Sequence, residues 1–191
     1  MVRSGPVRNR LRGWALAATA AVVFTVQTPR ARATTVVPIT VEALTRQSHE
    51  VVVATVVRSA SRWEGGFIVT DHTVRVAAVF KGAAALQSEI TVTLAGGVVG
   101  RVGQVIAEVP VPEVGRSYVW FVQAGAEGRR YLTHMTAAVV PLRVVPGQAQ
   151  VTAEPPEALV TAPSQGPQGV SAGPRALPFE TLSRVIQGAS P

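Results

Sequence analysis

The stretch that decides the fold is Ile68 to Gly82, IVTDHTVRVAAVFKG, which contains the only lysine of the chain, Lys81. Ile68, His72, Val74, Val76, Ala78 and Phe80 take alternate positions, while Asp71, Thr73, Arg75 and Lys81 fall between them. A period of two marks a strand with one apolar and one polar face. The segment is therefore expected to be a long, half-buried strand whose even positions share a face. Asp71 and His72 then point to opposite faces, so this tempting acid–imidazole pair cannot bond side chain to side chain.

Upstream, Val51 to Val57 reads VVVATVV and is apolar on both faces, which suits a central strand covered on both sides or one wrapped into a small closed barrel. Arg58 to Gly66 is expected to turn the chain between these two strands, with Glu64-Gly65-Gly66 as the flexible tip. Before them, Thr40 is placed to cap a short helix from Val41, with Val41 and Leu44 on its buried side and Ser48-His49 closing it. Downstream, further strands are predicted over Ile90 to Leu94, Tyr118 to Gln123 and Tyr131 to Thr136. Ala138 to Val145, which contains Pro141, reads as an edge strand. Trp120 and Phe121 should face opposite ways. Short strands separated by turn residues indicate an all-β fold: a small five- to six-stranded barrel with one short N-terminal helix and one C-terminal helix.

The ends read differently. Residues 1–33 combine an arginine-rich start, a weakly apolar run from Trp14 to Val26 and the tripeptide Ala31-Arg32-Ala33, the pattern of a secretory signal peptide. Thirteen apolar residues rise only about 20 Å as a helix, short of a hydrocarbon core of roughly 30 Å. An exported protein, periplasmic or extracellular, is expected. The formal charge of +7 belongs to this leader: without its six arginines, twelve basic residues face eleven acidic ones. No basic stripe is left to hold a nucleic acid. Residues 34–146 then form the β domain, 147–177 a proline- and glycine-rich linker expected to be disordered, and 178–191 a short amphipathic helix and tail. Phe179, Leu182, Val185 and Ile186 share one face of that helix. A helix this short must dock, either on its own domain or on a partner, and those four residues are the candidate partner-binding set.

Candidate chemistry is sparse. The chain has no cysteine, which removes disulfides and thiolate metal sites. His49, His72 and His134 are its only histidines, and their spacing matches no zinc pattern. Gly97, Gly100 and Gly103 match neither dinucleotide nor P-loop spacing, and are expected instead to let a loop cross a small barrel closely. No serine lies in a nucleophile elbow. No catalytic, cofactor or metal residues are assigned, and the favoured function is an exported, non-enzymatic module that binds another extracytoplasmic protein. The alternative is an extracytoplasmic hydrolase using His72 or His134 with a serine or a metal.

The succession SHEVVVATVVRS (48–59), TDHTVRVAAVFKG (70–82), ITVTLAGG (90–97), VGRSYVWFV (114–122) and RRYLTHMTAAVVPL (129–142) resembles the netrin-like modules of the tissue metalloproteinase inhibitors and their bacterial relatives. It is also similar to small exported bacterial proteins of unknown function. The resemblance implies an OB-type barrel and binding to proteins through loops at one end, with a protease-inhibitor-like or accessory role. In that family an N-terminal cysteine engages the enzyme's zinc; this chain has none, so that mechanism does not carry over.

Overall fold

The computed structural model describes residues 38–144, 151–156, 159–160 and 176–190. The predicted leader, residues 1–33, lies outside them. Strand β1, Ile39–Thr40, leads directly into helix α1, Val41–Gln47. Thr40 caps it as expected: its hydroxyl accepts the Ala43 N–H at 3.2 Å, satisfying one of the donors that a helix start leaves open. Val41 and Leu44 are fully buried, and the Ser48 N–H returns to the Leu44 carbonyl at the helix end.

Strand β2 is Glu50–Glu64, and β3 is Phe67–Lys81 antiparallel to it. The predicted turn over Arg58 to Gly66 is thus mostly strand. Reversal occurs only at Gly65 and Gly66, whose φ angles of +56° and +87° are those of a two-residue hairpin turn with right-handed twist. The chain continues through β4, Glu89–Ala95; a small hairpin of β5, Gly97–Val99, and β6, Val102–Gln104; β7, Ser117–Ala124; and β8, Arg130–Leu132. Then follow β9, Val139–Val144; β10, Val151–Ala153; β11, Leu159–Val160; β12, Leu177–Pro178; and helix α2, Phe179–Ala189.

The fold is broadly all-β. One eight-stranded sheet runs β12-β10-β9-β7-β2-β3-β4-β8, and β8 pairs back onto β7, so that β7, β2, β3, β4 and β8 form a ring-like portion. Within it Val52, Ala54, Val56, Val74, Val92 and Trp120 pack together. On the opposite face, Val51, Val53, Val119 and Phe121 pack with Val41 and Leu44 of α1 and Leu182 and Ile186 of α2. Trp120 and Phe121 do face opposite ways.

The even positions of β3 do not keep one face. Val74 and Val76 point into the ring, whereas Ala78 and Phe80 pack on the helix side. The cause is a register shift: Ala54 lies opposite Val76 but Val53 opposite Ala78, so Ala77 is an extra residue that inverts the alternation. A second shift follows at Phe80, and a third on β2 at Val57.

Two further expectations change. Strand β9 is not an edge, because it lies between β7 and β10. Pro141 is tolerated since pairing with β7 ends there, opposite Tyr118, while its carbonyl accepts the Glu154 N–H at 2.9 Å. Part of the predicted linker is also structured. Val151–Ala153 adds to β9, Leu159–Val160 pairs with β1, and Ala153 and Leu159 are buried in the helix-side core. Apolar side chains with that core to enter are not free to behave as linker.

Phe80, Lys81 and Gly82 join these parts. Phe80 packs against Phe179 at a ring separation of 6.1 Å. The Lys81 ammonium donates to the carbonyls of Thr45 and Arg46 at 3.0 and 3.2 Å, near the C-terminal end of α1, where a cation is favoured. Gly82 has φ +100°, and a Cβ there would lie 2.5 Å from Glu50 Cγ. Glu50 in turn accepts two bonds from Arg130 of β8, at 2.7 and 3.3 Å. Leu182→Ala is expected to cost about 2–5 kcal/mol by opening a cavity in the helix-side core, and Arg184→Ala, on the exposed side of α2, less than about 0.5 kcal/mol. Urea unfolding of both variants checks this.

Candidate functional site

The upper half of the β2–β3 hairpin, beyond Val56, brings together side chains that neither strand holds alone. On its ring-side face, Ser59 lies opposite His72 and Ser61 opposite Thr70. Ser59 Oγ and His72 Nδ1 are 2.8 Å apart. The Thr70 hydroxyl donates to the Gly96 carbonyl at 2.7 Å, which leaves it to accept from Ser61 at 2.9 Å. Ser61 then accepts the Val98 N–H at 3.3 Å. This chain of bonds pins the β5–β6 hairpin across the mouth of the ring, helped by Gln104, which accepts the Ile68 N–H at 2.7 Å.

Only glycine permits this approach. A Cβ at Gly97 would come within 2.2 Å of Thr70 Oγ1 and 2.5 Å of Ser61 Oγ, and its φ is +134°. The close approach expected of Gly97, Gly100 and Gly103 is thus made by Gly97 alone: a Cβ at Gly100 would meet nothing within 4 Å, and one at Gly103 only Val98 at 3.7 Å. Gly97-Val98-Val99-Gly100 forms a strand and the start of its turn.

The crossing leaves large apolar side chains in water. Trp63 and Phe67 flank the tip of the first hairpin and are 52% and 64% exposed, while Val98 and Val102 on the second are 65% and 50% exposed. On the first hairpin Trp63 shares the ring-side face with Ser59 and Ser61 and Phe67 the outer face with Glu64, while on the second Val98 lies opposite Gly103 and Val102 opposite Val99, so the exposed side chains of this end stand on more than one face.

The outer face of the same hairpin is charged. Asp71 accepts Arg62 Nε at 2.8 Å and the Thr93 hydroxyl at 2.6 Å. Burial alone would raise the Asp71 carboxyl, but hydrogen bonds from Arg62 and Thr93 and the charges of Arg62 and Arg129 overcome it and hold the group below its ordinary value. Arg62 Nη2 lies 2.8 Å from a Glu64 carboxylate oxygen, so this guanidinium is paired with two carboxylates. Beside these groups is an open hollow of about 300 Å³ lined by Arg58, Ala60, Thr73, Thr91 and Arg129. Arg58 Nη2 lies 3.5 Å from the Thr73 hydroxyl.

His72 is 4% exposed beneath the exposed Ser59, with the Trp120 ring 6.4 Å away. Burial pushes its imidazole below the ordinary value, and the Asp71 charge opposes this only in part. Near neutrality His72 is therefore uncharged. Asp71 is on the other face, as the strand period requires, and among the described residues no carboxylate bonds to His72. His134 instead contacts Thr136 at 3.2 Å, and His49 accepts the Ala124 N–H at 3.4 Å. No group of three His, Asp or Glu among the described residues is placed to hold a metal ion.

The four helix residues proposed for a partner lie against the chain's own core. Leu182 and Ile186 are fully buried, and Phe179 and Val185 pack partly buried beside them. A partner could reach this face only by displacing the helix. The hairpin residues Ser59, Ser61, Trp63 and Phe67 were hidden in sequence by the turn assigned to Arg58 to Gly66. The signal that finds them is Gly65-Gly66 as a two-residue hairpin, which sets Ser59 against His72 and Ser61 against Thr70.

No known family model matches the chain, and no curated protein matches it in sequence.

Because burial depresses the His72 imidazole, the unfolded chain takes up this proton before the folded one as pH falls below about 6.5. Stability is expected to fall from that pH downward and to level off once the folded imidazole also titrates. His72→Gln should remove this slope. The separate loss as pH falls below about 3.8, where protonation breaks the Asp71 interactions, should persist. Urea midpoints across the pH range read both.

Proposed function

We propose that this protein is an exported, non-enzymatic binding module, an OB-like barrel of netrin-like type, whose hairpin end engages another extracytoplasmic protein. The observation that carries the reading is the exposure of Trp63, Phe67, Val98 and Val102 at the end of the fold where hydrogen bonds hold two hairpins together. Rigid aromatic and aliphatic groups presented without ordering cost are what protein recognition favours. The ring-like closure of β7 on β8 and the order of segments support the OB-like part of the proposal. The predicted leader supports export. A protease-inhibitor-like or accessory role is the form this takes if the netrin-like resemblance extends to function, with hairpin contacts replacing a zinc-binding cysteine.

The test is capture of exported proteins by the purified, tagged chain and by a Trp63→Ser, Val98→Ser double variant of unchanged circular dichroism. A partner held by the first and lost at least about tenfold by the second is expected, since each well-packed anchor contributes 1 kcal/mol or more. Failure of the native chain to retain any protein that the variant loses would sink the proposal.

The Ser59–His72 contact of 2.8 Å favours a second reading, a hydrolase. Against it stands the lack, among the described residues, of a carboxylate to orient the imidazole. Covalent labelling by a serine-directed phosphonate, abolished in Ser59→Ala and in His72→Gln, would establish this reading, and absence of labelling would end it.

A further inference from the structure

Strands β2 and β3 are equally long but unequally partnered. β3 is paired with β2 throughout and with β4 from Val69 to Arg75. The pairing of β2 with β7 stops at Thr55, opposite Ser117, and Val56 is the last residue bonded on that side, to Gly115 and Arg116. From Arg58 to Glu64, among the described residues, the other edge of β2 has no strand beside it, and Arg58, Ser59, Ala60, Trp63 and Glu64 are exposed. A bare strand edge is a template for another strand unless something repels it.

We propose that this edge pairs antiparallel with the same edge of a second copy of the chain, about a twofold axis through Ser61. In such a pair, residues equally far from the axis on either side lie opposite each other and on one face. Centring on Ser61 sets Arg58 against Glu64, twice by symmetry, with Ala60 against Arg62 and Ser59 against Trp63. Centring on Ala60 would instead oppose Arg58 and Arg62, and centring on Arg62 would oppose that residue to itself. Both place guanidinium groups together, and shifts of half a step would oppose residues from different faces.

A pair centred on Trp63 would also oppose Arg62 to Glu64, but only the Ser61 centre opposes unlike charges while using the whole of Arg58 to Glu64, and this self-complementarity is why the occupant is a second copy rather than a foreign strand. Arg58 is exposed, and among the described residues its side chain makes one hydrogen bond, the 3.5 Å approach to Thr73. Glu64 is reachable too, its side chain 43% exposed although Arg62 and Arg129 touch it. The same pairing lays the exposed Trp63 indole over Ser59 of the other copy. The shift at Val57 ends the template on one side and Gly65 on the other, limiting the interface to a short ladder. Trp63 belongs both to this interface and to the hairpin end described above, so dimerisation and partner binding draw on the same indole.

The chain has no cysteine, so one introduced thiol reports unambiguously. Residues opposed across a twofold antiparallel pair have Cα atoms about 4.5–5.5 Å apart, within disulfide reach. Ser61→Cys is expected to form a covalent dimer under mild oxidation, and Ser59→Cys, which would face Trp63, to form little. Light scattering of the unsubstituted chain should show mass rising towards a dimer between micromolar and millimolar concentration. Arg58→Glu and Glu64→Arg should each weaken dimerisation about tenfold or more, and the combined charge swap should restore it. Circular dichroism serves as the control for folding. The proposal is overturned if the unsubstituted chain stays monomeric throughout, if Ser59→Cys crosslinks as readily as Ser61→Cys, or if the charge swap restores nothing.

Discussion

The constraint on which the rest of this structure depends is that the first half of β2 must be covered on both faces. Val51 and Val53 point one way, Val52, Ala54 and Val56 the other, and all are buried. A single sheet cannot hide two apolar faces. The ring-like closure of β7 on β8 covers one of them, and α1 and α2 cover the other. Burial of each large aliphatic side chain is worth roughly 1.5–3 kcal/mol, which far exceeds what a nine- to eleven-residue helix gains from its own backbone. That is why α2 docks, and why strands beyond the ring extend the sheet under the helices.

The Phe80-Lys81-Gly82 corner couples these two solutions. The register shifts in β3 rotate Ala78 and Phe80 from the ring side to the helix side, so one strand serves both cores. Lys81 then ends α1, and Gly82 leaves room for Glu50, whose pair with Arg130 links β2 to the short strand that completes the ring. Three neighbouring residues thereby tie the helix layer, the sheet and the ring closure together. Polar contacts do at the other end what this corner does at the base: the Ser61–Thr70–Gly96 chain of bonds holds the glycine-rich hairpin over the ring mouth.

Much of the fold was legible in the sequence, and the candidate site was not. The all-β class, the Thr40 cap, both helices and the opposition of Asp71 to His72 follow from local patterns and appear in the structure. The hairpin site escaped because Arg58 to Glu64 is polar and exposed, which reads as turn. It is strand because β3 supplies its hydrogen bonds, with Ser59 and Ser61 satisfied by residues across the hairpin. The reverse holds for Phe179, Leu182, Val185 and Ile186. Their amphipathic spacing said that the face would be covered, but not by what.

Sequence alone determined what covalent geometry dictates: which segments alternate with a period of two, where a helix can start, and that no thiol chemistry is available. Tertiary structure decided which way each face points after a bulge, where the long hairpin turns, how far the apparent linker is absorbed, and which apolar residues stay exposed. The physical reason is range. Side-chain direction along a regular strand follows from neighbouring bonds, whereas a register shift, a docked helix or a glycine pressed against Thr70 depends on contacts between residues tens of positions apart.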